Sequence, residues 1–507
     1  MCGIFFVKHS RGDRVDVGKV NAALASMAYR GPDASGLLDV DPGTVLGQVR
    51  LQVIGSESSG RQPMVSWSQS TAIVFNGEIY NFRRLAEKFF PGKSIDSDTR
   101  LLLELLELHG DEILHEVEGM FAFVVVDLVS KEWAAYRDRF GIKPLYVYHK
   151  HGLTVVSSEP VAISKYVDLS PDPESLLEWR KFRRPCPGYS YLKDVSEVLP
   201  GFGMRGGVDR HWYCIQEDGF EYSEKRFAEV LTDVVHDHLE SDVAVTGLLS
   251  GGVDSSVIAA MTDFDQYYTV GLPEANEFDD VREFCRLTNK SCVEVSVSEA
   301  EMREAWHVLV TARDEPLSVP NEGLIYLVCK EMPDSTKVVL TGEGADELLF
   351  GYDRIFRYMN SQIEFDLDAF LQRYCYSDDR LGDRMHGFIA SVSANKAPVQ
   401  FCEDFFLQFH LPGLLRRMDS SMMAASKEGR VPFVDRRLFE MFYRKPLEVR
   451  AANGVIKAPL RTILYNRQLG VVCERKKVGF SAKPEAQSTF SHYSSFQQQI
   501  LESLSWS

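Results

Sequence analysis

The chain has 507 residues, 45% apolar and 25% charged, the balance of an ordinary soluble globular protein of about two to four domains. Its 73 acidic and 56 basic side chains give a net charge of −17, which argues against a general nucleic-acid or anionic-membrane partner. Nine scattered cysteines with no C-x-x-C pair suit a reducing compartment, no apolar run nears the ~20 residues of a membrane helix, and the N-terminus lacks the order of a secretory signal, so a cytoplasmic protein is expected.

The first half opens on Met1-Cys2-Gly3-Ile4. If the initiator methionine is removed, Cys2 carries both a thiol and a free α-amine, whose pKa of ~7.7–8 lets it act as a base beside its own nucleophile. Alone, such a cysteine reads rather as a small buried residue at a strand start. Arg30-Gly31-Pro32-Asp33, Arg50-Leu51-Gln52-Val53-Ile54, Phe75-Asn76-Gly77-Glu78-Ile79-Tyr80-Asn81 and Ser97-Asp98 follow it. Asp98 opens a leucine-rich helix ended by Gly110, and as a structural residue it would be the helix cap. Residues 119–127 read as a buried strand, and 133–137, 145–149 and 153–158 as short strands. His149-Lys150-His151 reads as a solvated hairpin turn. Arg180-Lys181-Phe182-Arg183-Arg184 reads as a solvated helix end. Prolines and glycines punctuate 171–213, and a domain boundary is placed near residue 210.

These motifs resemble the class II glutamine amidotransferase domain, an N-terminal-nucleophile glutaminase with stacked αββα sheets. The resemblance implies that Cys2 attacks the glutamine amide, with its α-amine as base, and releases ammonia through a thioester. It implies that Asn76 and Gly77 form an oxyanion hole and that Arg50 forks onto the glutamine α-carboxylate. Glu78 and Asp98 would hold the α-ammonium.

The second half begins with a helix capped by Ser223, carrying Phe227, Val230, Leu231, Val234 and Val235 on one stripe. An apolar strand over 243–249 delivers Ser250-Gly251-Gly252-Val253-Asp254-Ser255-Ser256 to a helix start. Glycines let the backbone approach a ligand, the helix N-terminus favours an anion, the hydroxyls donate, and Asp254 suits Mg²⁺. The loop lacks the lysine of a Walker P-loop. Strands and helices then alternate: 267–271, 279–288, 292–297, 301–311, 323–331 and 337–341, the rhythm of a doubly wound parallel sheet with ligands at the carboxyl ends of its strands. The last strand delivers Gly342-Glu343-Gly344-Ala345-Asp346-Glu347 to the same edge as the serine loop, where a cation would offset the acids. Lys457 and Arg461 are four apart and share a face if helical, which Pro459 permits only in the first turn.

The serine loop resembles that of ATP pyrophosphatases. Together with G-E-G-A-D-E, Gly429-Arg430-Val431-Pro432-Phe433-Val434-Asp435, the segment from Asn453 to Arg461, and Arg475-Lys476-Lys477-Val478-Gly479-Phe480, it resembles the synthetase domain of glutamine-hydrolysing asparagine synthetases. The resemblance implies ATP and Mg²⁺ as cofactors, with Asp254 and Asp346 on Mg²⁺–pyrophosphate and Glu343 on the reacting intermediate. Lys457 would stabilise phosphate charge. Leu248, Val270, Thr341 and Gly342 would surround AMP, with Ser250, Gly251, Gly252, Ser255 and Ser256 on the phosphates. Small-molecule substrates are expected, and a homodimer is compatible with the resemblance. The stretch 314–323 keeps D-E-P but otherwise departs from the aspartate-specific forms. The alternatives are therefore an amidotransferase for another carboxylate, a cyclase related to β-lactam synthetase, and a non-catalytic scaffold. The cyclase branch lacks both the N-terminal cysteine and the glutamate at position 343.

Overall fold

The computed structural model describes residues 2–10, 12–375, 377–475 and 489–505. Its first half is two six-stranded antiparallel sheets face to face, with helices outside. One sheet runs in the order Val195–Glu197, Tyr146–Lys150, Leu153–Ser157, Cys2–His9, Thr44–Arg50, Ala34–Asp41. The other runs Val208–His211, Phe202–Arg205, Trp133–Arg137, Gly119–Asp127, Thr71–Ile79, Met64–Val65.

Side-chain alternation explains the layering. In Cys2–His9, Ile4 and Phe6 face the opposite sheet, where they meet Val74, Val124 and Trp133. Phe5 and Val7 face outward, onto Leu24 and Ile163 of the helices Val17–Ser26 and Pro160–Tyr166. The other sheet does the same, burying Ile73, Phe75, Phe121 and Phe123 with Leu101, Leu102 and Leu105 of Asp98–His109. The expected αββα sandwich is therefore present. Asp98 is not the cap of its helix. Ser97 is, its hydroxyl accepting from Arg100 N–H, so Asp98 is free to face the sheets' edge.

The second half is a five-stranded parallel sheet in the order Cys292–Ser296, Tyr267–Gly271, Ala244–Leu248, Thr336–Leu340, Glu428–Arg430. Numbered along the chain this is 3-2-1-4-5, the doubly wound arrangement. The order reverses between Ala244–Leu248 and Thr336–Leu340, and the crevice at such a switch point is where ligands bind. Ser223 caps its helix as expected. Pro459 lies in the first turn of Ala458–Asn466, where its missing N–H costs nothing.

The halves meet through buried ion pairs. Arg30 reaches Glu159 at 2.6 Å and Asp419 at 2.9 Å, and Arg416 reaches Glu159 at 2.5 Å and Glu315 at 2.6 Å. Lys143 lies 3.4 Å from Asp419, and Arg430 lies 3.0 Å from Glu78 and 2.7 Å from Glu428. Burial would raise the Glu159 pKa, but Arg416 and Arg30 outweigh it and hold it down at about 2. That lies below the unfolded carboxylate value of about 4.3, so the pair's contribution is complete above that value and is lost as pH falls toward 2. Glu159→Gln leaves two buried guanidiniums short of a partner and is expected to cost about 3–5 kcal/mol. In calorimetry the gap in Tm between wild type and variant should be widest above pH 5 and close toward pH 2.5.

In the basic run 180–184 Arg180 is exposed, as the sequence suggested, but the residues after it are not. Lys181 is buried and donates to the carbonyls of Ser377 (3.2 Å) and Asp379 (2.7 Å), Phe182 lies in a core, and Arg184 pairs with Glu197 at 2.8 Å. By contrast, Lys150 and His151 are exposed, as expected for the hairpin turn.

Candidate active sites

Cys2 begins its strand on the inter-sheet face shared with Ile4 and Phe6, and it is buried. Its N–H donates to Asn76 Oδ1 at 3.0 Å, and the buried Asn76 Nδ2 has no partner among the described residues, a donor suited to an oxyanion. Gly77 follows on the same strand, where a Cβ would lie 2.2 Å from Met120 O, so only glycine lets the two strands pair here. Burial raises the Cys2 thiol pKa, opposed by Arg50 and the Leu51 N–H. Arg50 pairs in register with Cys2 across the strands, and its guanidinium donates to the carbonyls of Ile54, Gly55 and Ser56 at 3.0–3.3 Å. It borders a cleft of about 600 Å³. Burial, then Asp98, pushes the Glu78 carboxyl well above its usual range. Burial also raises Asp98, against a hydrogen bond from Glu78 and the N–H groups of Ile79 and Thr99. Two adjacent carboxyls that resist ionising together would both be favoured in charged form by an arriving ammonium.

The second site lies at the switch point. Leu248, Ser250, Gly252, Asp254, Ser255, Val270, Thr341, Gly342, Glu343 and Asp346 line one cleft of about 360 Å³. Gly251 N–H is held by Glu277 at 3.0 Å, and the Ser256 hydroxyl, on the next helix, is buried without a partner among the described residues. A Cβ on Gly342 would meet Ser255 N at 2.9 Å, so that glycine lets the two loops touch. Lys457 stands behind them, its Nζ 2.6 Å from Asp254 and 2.5 Å from Asp346. Burial would depress its pKa, but the two carboxylates outweigh this and raise it. Its φ of 57° puts a non-glycine residue in the left-handed region at the head of Ala458–Asn466. Such strain persists only where the surroundings impose it. Glu343 is paired with Arg417 at 2.5 Å. Glu347 is pushed up to about 8 by burial and by Asp346, and accepts from Tyr352 OH at 2.7 Å.

A short ionic path joins the sites. Cys2 C=O accepts from Arg30 at 3.1 Å, Arg30 reaches Glu159, Glu159 holds Arg416, and the next residue, Arg417, holds Glu343. Arg430 makes a second link. Its side chain holds Glu78, while its carbonyl accepts from Thr341 N–H at 3.0 Å.

The asparagine synthase family model matches residues 226–505, and the glutamine amidotransferase domain model matches 1–213. The chain belongs to the asparagine synthase family. Asparagine synthetase [glutamine-hydrolyzing] 1 of Bacillus subtilis is 28% identical, covering 95% of this chain and 87% of its own. Asparagine synthetase B of Escherichia coli is 26% identical over 95% and 82%. The glutamine phosphoribosylpyrophosphate amidotransferase structure from B. subtilis aligns over 60% of this chain and 70% of its own, at 16% identity and a TM-score of 0.33, and adds no weight.

Within this asparagine synthase frame, the structure adds residues that sequence reading missed. Arg417, Glu277, Asn321, Tyr352, His410 and Arg183 all line the switch-point cleft. Asn321 and Arg183 lay in stretches already noted but not as site residues, and Arg417, Glu277, Tyr352 and His410 carry no local motif; folding brings them together. Gly351 had a weak signal, following the acidic motif by four residues. A Cβ there would stand 1.7 Å from Asp346 Oδ1 and 2.6 Å from Lys457 Cε. Gly351→Ala is therefore expected to cut AMP formation at least about tenfold by displacing Asp346, with the circular-dichroism spectrum unchanged; both are direct measurements. Of the last motif, Arg475 pairs with Glu283 at 2.8 Å and Asp280 at 3.3 Å beside the serine loop. Residues 476–480 lie outside the described residues.

Proposed function

We propose that the chain makes an amide from a carboxylic acid, with glutamine as nitrogen donor and ATP as activator, and that aspartate is the acid and asparagine the product. The observation that carries this reading is the meeting of the serine loop, the Lys457–Asp254–Asp346 cluster and the Glu343–Arg417 pair at one switch-point cleft, with Cys2 at the other end of a shared ionic path. At the first site, the Cys2 thiol passes its proton to a base and attacks the glutamine amide. Asn76 Nδ2 and Gly77 N–H steady the oxyanion, Arg50 takes the α-carboxylate, and Glu78 and Asp98 take the α-ammonium. The amide nitrogen leaves as ammonia, and water frees glutamate from the thioester. At the second site the acid attacks the α-phosphorus of ATP, and pyrophosphate leaves. Ammonia then displaces AMP.

Asp254 and Asp346 are hard oxygen donors from separate elements, and this fits Mg²⁺, which commonly takes one or two carboxylates plus substrate phosphates. Among the described residues no group of three acidic, histidine or cysteine side chains forms a complete metal cage. Phosphate oxygens would supply the other ligands. Bound there, Mg²⁺ would offset charge on the pyrophosphate, while Lys457 orders the same two carboxylates.

A cavity of about 40 Å³ in the junction, bordered by Tyr146, Glu315, Arg416 and Arg417, supports internal transfer of ammonia. A cytoplasmic enzyme divided near residue 210, assembling as a homodimer, completes the proposal. Among the described residues no helix is long and apolar enough to cross a membrane. The test is aspartate-dependent exchange of labelled pyrophosphate into ATP. Exchange supports the reading; exchange with other acids but not aspartate would assign a different acceptor.

A further inference from the structure

The two strands that flank the switch point, Ala244–Leu248 and Thr336–Leu340, run into the serine loop and the loop carrying Glu343 and Asp346. Their opposite ends abut the first half, beside Arg50. Asp242, two residues before Ala244, donates its N–H to Val53 O at 3.1 Å, and its Oδ2 accepts from Gly55 N–H at 2.8 Å. Lys337, in the neighbouring strand, places Nζ 2.7 Å from Asp33 Oδ2. That same oxygen accepts from Gln52 N–H at 2.7 Å, and Asp33 N–H donates to Arg50 O at 3.0 Å. Ala244 and Thr336 are register partners, so Asp242 and Lys337 stand at the same end of the sheet.

Both residues hold the surroundings of one arginine. Arg50 is buried, and its guanidinium is fixed by the carbonyls of Ile54, Gly55 and Ser56. Those carbonyls belong to the stretch 51–63, which joins Thr44–Arg50 to Met64–Val65 and forms no strand or helix of its own. Such a stretch takes its shape from its anchors. Its far turn closes on itself, with Gly60 N–H donating to Ser56 O at 3.0 Å. Its near side is anchored from the second half. Gly55 has a φ of 78°, in the left-handed region that suits glycine, and its carbonyl accepts from Arg50 while its N–H donates to Asp242. One residue thus ties the guanidinium to the other half. The Asp242 carboxylate is committed to this contact: Arg83 lies 3.9 Å from it but 2.8 Å from Glu240. Asp33, Arg50 and Ser56 all line the cleft of about 600 Å³.

We propose that Asp242 and Lys337 are positioning residues for glutamine, which hold from the second half the backbone that aims the Arg50 fork at the α-carboxylate. The inference rests on the glutaminase reaction proposed at Cys2, and it makes the glutamine pocket complete only in the joined chain.

Glutamine hydrolysis by the full chain tests it, with glutamine and glutamine α-amide as paired substrates. The α-amide lacks the charge that Arg50 would take. Asp242→Ala should raise KM for glutamine about tenfold or more with kcat within about threefold, because a fork moved by a fraction of an ångström loses binding that is uniform along the reaction. KM for the α-amide should stay within about twofold, so the preference for a free carboxylate collapses. Asp242→Asn keeps an oxygen for Gly55 N–H and should stay within about threefold of wild type. Lys337→Met should act in the same direction as Asp242→Ala, and Lys337→Arg should recover part of the loss. Ammonia-dependent amide formation should hold within about twofold throughout, which separates a moved fork from misfolding. An unmoved KM for glutamine in Asp242→Ala or Lys337→Met, or an equal rise for the α-amide, would overturn the inference and leave the glutaminase reaction standing. A wild-type chain that hydrolyses neither substrate would overturn that reaction, and this inference with it.

Discussion

Cys2→Ala should abolish glutamine-dependent amide formation and leave ammonia-dependent formation within about twofold of wild type. As the proposed nucleophile, Cys2 would be the group at the first site that forms and breaks bonds, so its loss would remove the route rather than slow it. Alanine fits the space, because Cys2 is buried on the face it shares with Ile4 and loses only its sulfur. The backbone contacts that tie Cys2 to the rest, its N–H to Asn76 and its C=O to Arg30, survive the change. The ionic path toward Glu343 therefore stays intact, and the second site should not respond. Amide yield with each nitrogen source, in parallel assays, checks this. Loss of both activities would mean that Cys2 acts through the fold instead.

The reciprocal change is Lys457→Met. It removes the buried cation between Asp254 and Asp346 while keeping a side chain of similar length. Two carboxylates then face each other in a cleft that must also take triphosphate, and the charge that would order them is gone. Loss of one preorganised charge at a phosphoryl-transfer site typically costs about 10²–10³ in rate. Exchange of pyrophosphate should fall by that factor, whereas glutamine hydrolysis at Cys2 should continue. Lys457→Arg should not rescue: a planar fork cannot place one point charge against both Asp254 and Asp346 in the space bordered by Gly351.

Much of this was legible before folding. Apolar runs ended by Gly-Gly and Gly-x-Gly turns located both loops, because those signals are local. The acids and the lysine that meet at the switch point were each visible as chemistry. What could not be read was that Lys457 grips Asp254 and Asp346 together, since 203 residues separate it from the first. Arg30 and Arg430 sat in recognisable motifs, but their role as junction ions appears only with the partners Glu159, Asp419 and Glu78. All of the run 180–184 beyond the exposed Arg180 was misread for the same reason. A short basic cluster at a helix end looks alike whether water or buried carbonyls receive it, and only the tertiary contacts at Ser377, Asp379 and Glu197 distinguish them.

The claim that both reactions serve one product is tested most directly by isotope. The enzyme is given glutamine labelled with ¹⁵N at the amide, together with ATP, the acceptor acid and a large excess of unlabelled ammonium, and the product amide is analysed by mass spectrometry. Ammonia passed between the two sites within the protein predicts an amide carrying mostly ¹⁵N. An amide whose label has been diluted to that of the bulk ammonium would contradict the account.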